Sequence, residues 1–100
     1  MSANISIANL SWLNDSVKFL LQVSQKSGKL TDFIKTEIPE KDKNWLLDLK
    51  SWEIDKKWIE DIASICSEEF DQAFIDFGEN YYDLTDPDDF DKFKDSVGKA

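Results

Sequence analysis

The sequence predicts an α+β domain, with one long helix in the C-terminal half packed on a short β-hairpin and an N-terminal helix. Three patterns predict it. Apolar side chains recur at three-and-four spacing from Asp55 to Phe77, a second such stripe runs from Asn9 to Gln25, and Trp45–Ile54 alternates with period two. An all-α bundle is the alternative, reached if Trp45, Leu49 and Trp52 form one helical stripe. A chain of 100 residues, 41% hydrophobic with seven Phe, four Trp and two Tyr, is enough for one aromatic-rich core, so residues 1–100 read as a single domain.

Taken in order, Ile5 and Ile7 alternate with polar neighbours, which suits an edge strand or an extended arm over residues 1–8. In Asn9–Gln25, Leu10, Leu13, Val17, Leu20, Leu21 and Ser24 share a helical face, with Gly28 as the stop. Lys29–Ile38 puts Leu30, Phe33, Ile34 and Ile38 on one stripe ended by Pro39, a short helix. Trp45 and Leu47, then Trp52 and Ile54, read as two strands around a turn at Asp48–Ser51 that lacks the usual glycine.

Asp55 can cap the following helix, whose apolar face comprises Trp58, Ile59, Ile62, Ile65, Cys66, Phe70, Ala73, Phe74 and Phe77. Unbroken to Phe77, it extends about 34 Å. Ile62, Ile65, Cys66, Phe70 and Phe74 are the expected core. Ile75 falls on the acidic side of this wheel, which marks either a partner anchor or an earlier helix end. After Gly78 a linker carries Tyr81 and Tyr82, and Asp86-Pro87-Asp88-Asp89 opens a last helix with Phe90, Phe93 and Val97 facing inward. Gly98 stops it, leaving residues 98–100 as a frayed C-terminus.

The charge is split between the two halves. Residues 1–54 hold seven acids and seven lysines; residues 55–100 hold fourteen acids and five lysines, and so the entire net charge of −9. Such a surface repels nucleic acid and anionic membranes and favours a basic protein partner. There is no histidine and no arginine. The first absence removes the commonest general base and metal ligand, and the second the best bidentate anion clamp. Neither the three glycines nor the acids around Asp83–Asp91 match a phosphate loop or an EF-hand; Pro87, Asp88 and Lys94 occupy positions the calcium loop cannot give them. Cys66 lies on an apolar face with no base nearby, which is the setting of a small buried hydrophobe. No catalytic residue, cofactor or metal is therefore expected.

These features point to a small acidic non-catalytic protein that binds and inhibits or regulates a basic protein partner, for which a nucleic-acid-binding protein met by nucleic-acid mimicry is one candidate. The alternative is an adaptor or small subunit of a larger assembly, docking through exposed Trp or Tyr. The expected binding residues are Glu60, Asp61, Glu68, Asp71, Asp83, Asp86, Asp88, Asp89 and Asp91, with Trp52, Tyr81 and Tyr82 as aromatic anchors. No apolar run reaches membrane-spanning length, no basic-then-apolar leader follows Met1, and a lone cysteine forms no internal disulfide. The expected compartment is the cytoplasm.

Overall fold

A computed structural model describes residues 5–12, 17–77 and 80–99. It corrects the expected fold class: the chain builds a six-stranded mixed sheet with three helices, neither a helix on one hairpin nor an all-α bundle. In chain order the strands are β1 (Ile7–Ser11), β2 (Lys18–Val23), β3 (Lys43–Leu46), β4 (Ser51–Asp55), β5 (Gln72–Asp76) and β6 (Tyr81–Asp83). The helices are α1 (Gly28–Glu37), α2 (Ile59–Glu69) and α3 (Pro87–Lys99). Across the sheet the strand order is β3-β4-β2-β1-β5-β6; β1 and β5 are parallel and every other neighbouring pair is antiparallel.

The helix expected over Asn9–Gln25 is two strands. Ala8 and Leu10 on β1 and Phe19 and Leu21 on β2 are buried, while Asn9 between the first two and Gln22 after Leu21 are exposed. That is a period of two, and it imitates a helical stripe because Leu20 and Leu21 are both apolar. Leu13 and the rest of residues 13–16 lie outside the described residues. Ile7 opens β1, which lies inside the sheet between β2 and β5, so the extended-arm expectation fails at Ile7 and Ala8. Residues 1–4 lie outside the described residues. Gly28 begins α1 and ends no helix; Ser27 caps α1 by accepting the Leu30 N–H at 3.3 Å.

The long helix is also corrected. Asp55 caps only a 3₁₀ turn over Lys56–Trp58, α2 stops at Glu69 after 11 residues, and Phe70 turns extended. Gln72–Asp76 then forms β5, with Ala73 and Ile75 buried on one face and Phe74 and Asp76 on the other. Ile75 therefore marked an early helix end, and as a fully buried core residue it anchors no partner. Tyr81–Asp83, expected as linker, is β6; the Gly78 stop lies outside the described residues. The last helix starts where expected, with Asp86 accepting the Asp88 N–H at 3.0 Å, but it runs on to Lys99 past the expected stop at Gly98.

All three helices cover one face of the sheet. Leu30 and Ile34 of α1, Ile59, Ile62, Ala63 and Cys66 of α2, and Phe93 of α3 share one core with Ala8, Leu10, Phe19, Leu21, Ile54, Ala73 and Ile75 of the strands. Ile65 is only half-buried, and Phe74 sits on the uncovered face, stacked on Tyr81 with ring centres 5.4 Å apart. Ser27 Oγ donates to Glu69 Oε1 at 3.1 Å, joining the start of α1 to the end of α2.

The hairpin expected over Trp45–Ile54 is present as β3 and β4, two strands of six, joined by the loop Leu47–Lys50. Trp45 pairs with Trp52 across it, ring centres 5.1 Å apart. In place of glycine, Lys50 holds the left-handed conformation at φ 50°. A non-glycine residue there costs of order 1–3 kcal/mol, against the roughly 0.5–1 kcal/mol of backbone entropy that glycine would lose.

Two outcomes in urea unfolding follow. Phe19→Ala lowers stability by about 3–5 kcal/mol, whereas Phe74→Ala on the uncovered face costs about 1–2 kcal/mol. Lys50→Gly raises stability by about 1 kcal/mol; no gain would mean that the hairpin loop relaxes without strain.

Candidate partner-binding surface

Strand order turns the charge split of the sequence into a split in space. The N-terminal half supplies β3, β4, β2 and β1, and the C-terminal half supplies β5 and β6 at the other side of the sheet, with α3 packed on β6. The acids of β5, β6 and α3 therefore share one end of the molecule, while Asp55 lies on β4 and those of α2 lie over the sheet beside α1, and the fold gives them different work.

Several of the expected binding residues are structural. Asp71 is off the helix altogether: its Oδ2 accepts from the Ser6 N–H at 3.0 Å and from Ser6 Oγ at 3.3 Å, closing the start of the β1–β5 pair. Glu68 forms an ion pair with Lys29 of α1 at 3.2 Å. Asp83 Oδ1 accepts from both the Thr85 N–H and the Thr85 hydroxyl, and Asp89 Oδ2 accepts from the Asp83 N–H at 3.0 Å. With the Asp86 cap, these bonds build the turn from β6 into α3. The row of carboxylates on a helix of about 34 Å does not exist; 11 residues of α2 span about 16 Å.

Glu60, Asp61 and Asp91 remain exposed, as does Asp88 in the first turn of α3. A shallow groove runs between α2 and α3. Ser64, Ser67, Leu84, Thr85, Pro87, Phe90 and Asp91 line one part of it, and Glu60, Asp91, Lys92, Lys94 and Asp95 line the next. Asp91 borders both parts, which adjoin there as a shallow, open channel. Glu60, Ser64 and Ser67 stand at helical spacing along its α2 wall. Leu84 and Phe90 give it an apolar floor, and Lys94 lies over the Phe90 ring at 5.9 Å. Spacing along α2 carried a signal for Glu60, Ser64 and Ser67 on one side; Thr85 and Pro87 opposite them carried none.

The aromatic anchors divide as well. Tyr81 is exposed on the uncovered sheet face. Trp52 is half-buried against Trp45, and Tyr82 is half-buried with its hydroxyl 3.0 Å from Ser96 Oγ. Sequence reasoning missed Trp45, Leu47 and Leu49, which are exposed at the far end of the molecule.

A polar cluster beside the start of β3 joins Asp42, Lys57 and Trp58. Asp42 is buried; it accepts from Lys57 Nζ at 3.0 Å and from Trp58 Nε1 at 3.2 Å. The Lys57 bond, then the Trp58 bond, lower the Asp42 pKa below its ordinary 3.8, against the opposing effect of burial. The same bond raises the Lys57 pKa. Cys66 is fully buried, and burial pushes its thiol up to about 12. Among the described residues, no three His, Cys, Asp or Glu side chains are grouped to hold a metal ion, and no helix is long and apolar enough to cross a membrane. Comparison of the chain with known protein families, with characterised proteins and with solved structures returns no match.

Asp42 has a folded pKa below its unfolded one, so the stability it contributes is present above pH 3.8 and is lost as pH falls below it. Asp42→Asn therefore lowers stability at neutral pH and flattens the acid limb of a stability–pH curve; an unchanged limb would show that the Lys57 and Trp58 bonds contribute nothing. In the folded protein Cys66 resists thiol reagents at pH 8 and reacts only on unfolding. Labelling at the rate of a free thiol under native conditions would contradict its burial.

Proposed function

We propose that this protein is a non-catalytic binding module that takes a basic segment of a partner protein into the channel between α2 and α3, and so blocks or regulates that partner. The observation that carries this reading is the position of Asp91 in both parts of the channel, opposite Glu60 on α2. A lysine or arginine side chain lying there meets carboxylates at the rim, serine and threonine hydroxyls along the walls, and Leu84 and Phe90 beneath its aliphatic stem. The surrounding net charge of −9 steers a cationic partner toward that end. Lys92 and Lys94 on the outer lip set the register, since they disfavour a second cation beside them. A chain without histidine or arginine and with a buried, protonated Cys66 supports a binding role over a catalytic one. The cytoplasm is the proposed setting.

The second reading, an adaptor docking through aromatics, draws on Tyr81, which stands exposed on its stack with Phe74. Titration of the isotope-labelled protein with an oligolysine peptide separates the two. The amides of Glu60, Ser64, Ser67, Thr85 and Asp91 shift, and the double variant Glu60→Lys, Asp91→Lys weakens binding about tenfold or more, as does raising the salt. That variant leaves stability within about 0.5 kcal/mol, because both sites are exposed. Shifts spread evenly over all the acids, or binding indifferent to the double variant, would remove the channel reading.

A further inference from the structure

The two edges of the sheet are unlike. β6 is three residues long, ends at Asp83, and has α3 packed on it. Short length, an edge acid and a covering helix are the usual protections of a sheet edge. β3 lacks them. It has four residues, no proline, and its main contacts are with β4 and the 3₁₀ turn Glu40–Asp42 before it. Lys43 is the one charged residue on it, and its side chain is only 7% exposed, because Nζ turns inward to the carbonyl oxygens of Ile34 at 2.8 Å and Lys35 at 3.4 Å at the end of α1. No charge is left to guard the edge.

Beside this edge lies the largest exposed apolar group among the described residues. Trp45 is 46%, Leu47 75% and Leu49 55% exposed. The edge and the hairpin tip are contiguous in chain and in space, so backbone pairing and apolar burial are offered together. Charge selects the occupant. From Glu40 to Ser51 the chain carries three acids and three lysines, Glu40, Asp42 and Asp48 against Lys41, Lys43 and Lys50. A two-fold contact sets like surfaces against each other, which a neutral patch allows and the acidic end does not.

We propose that β3 pairs antiparallel with β3 of a second copy of this chain, forming a twelve-stranded sheet across a two-fold axis. Trp45 and Trp52 of each copy then cluster on the helix-covered side, and Leu47 and Leu49 fold over the seam. The β5–β6 ends, which carry most of the net negative charge, point away from each other. The partner channel stays open in both copies, so self-association is independent of the oligolysine binding proposed above.

Sedimentation equilibrium of the full chain tests this from about 10 µM to about 1 mM, the range in which so small an interface associates. The mass rises from 11.6 kDa toward twice that value. Leu47→Lys and Trp45→Ser each raise the dissociation constant about tenfold or more, while circular dichroism stays that of the native fold. Glu60→Lys with Asp91→Lys leaves the constant within about twofold, and added salt does not dissociate the dimer, because the seam is neutral. A monomer at every concentration overturns the proposal. So does a dimer indifferent to Leu47 and Trp45, or one that the Glu60 and Asp91 changes or salt abolish, since each places the contact elsewhere.

Discussion

The parallel pairing of β1 with β5 is the constraint on which the rest of the structure depends. It joins Ile7–Ser11 to Gln72–Asp76, and it is fastened beyond both ends of the ladder. At the start, Ser6 C=O accepts from the Gln72 N–H at 3.0 Å and Ser6 Oγ accepts from the Asp71 N–H at 3.0 Å; at the far end, the Trp12 N–H donates to the Asp76 carbonyl at 2.8 Å. A parallel pair needs a connection that crosses one face of the sheet, and α2 is the last leg of that crossing. Because β2 already occupies the other side of β1, the β3–β4 hairpin can only extend the sheet outward from β2. The edge positions of β3 and β6 follow.

That constraint also explains why the two halves keep their charges apart. Every described strand before β5 is on the β1 side of the sheet, and every strand after α2 adds to the opposite side. The ion pair of Lys29 with Glu68 and the Ser27–Glu69 hydrogen bond join the halves where α1 and α2 lie side by side. Of the acids left over, Glu60 and Asp91 line the channel, and Asp61 is exposed next to Glu60 on α2.

The parts legible in the sequence were those where one pattern had no rival. Leu30, Phe33, Ile34 and Ile38 before Pro39 gave α1, and Asp86-Pro87 gave the start of α3. The hairpin strands were legible from Trp45–Ile54, though not that they join four others. Illegibility arose where periods of two and of 3.6 coincide. Cys66, Phe70, Ala73 and Phe77 keep three-and-four spacing, while Ala73, Ile75 and Phe77 keep an alternation of two; only Ile75 separates the readings. The channel was half legible. The acids are plain in the sequence, but whether a carboxylate is already held, as Asp71 is by Ser6 across 65 positions, depends on tertiary structure alone. The exposure of Leu47 and Leu49 was hidden for the same reason, since an apolar hairpin loop reads as core until its place at the sheet edge is known.

Lys43 shows how one side chain can settle two local problems in opposite ways. A helix end exposes carbonyl groups with a partial negative charge, and a cation placed there is worth about 0.3–1 kcal/mol, more where partly buried. α1 has Lys35 in its last turn, yet it is Lys43 Nζ that reaches the Ile34 and Lys35 carbonyls, with Glu40 Oε1 3.8 Å away. The backbone places this lysine opposite Ile54 on the helix-covered side of the sheet, so its stem packs inward and its ammonium has that helix end within range. An outward lysine at the same edge would repel an incoming strand and leave the α1 carbonyls bare. The sequence resolves the conflict in favour of the helix, since the buried group bears the larger cost when unpaired. Edge protection is what is given up, and Asn44, Trp45 and Leu46 carry none of it.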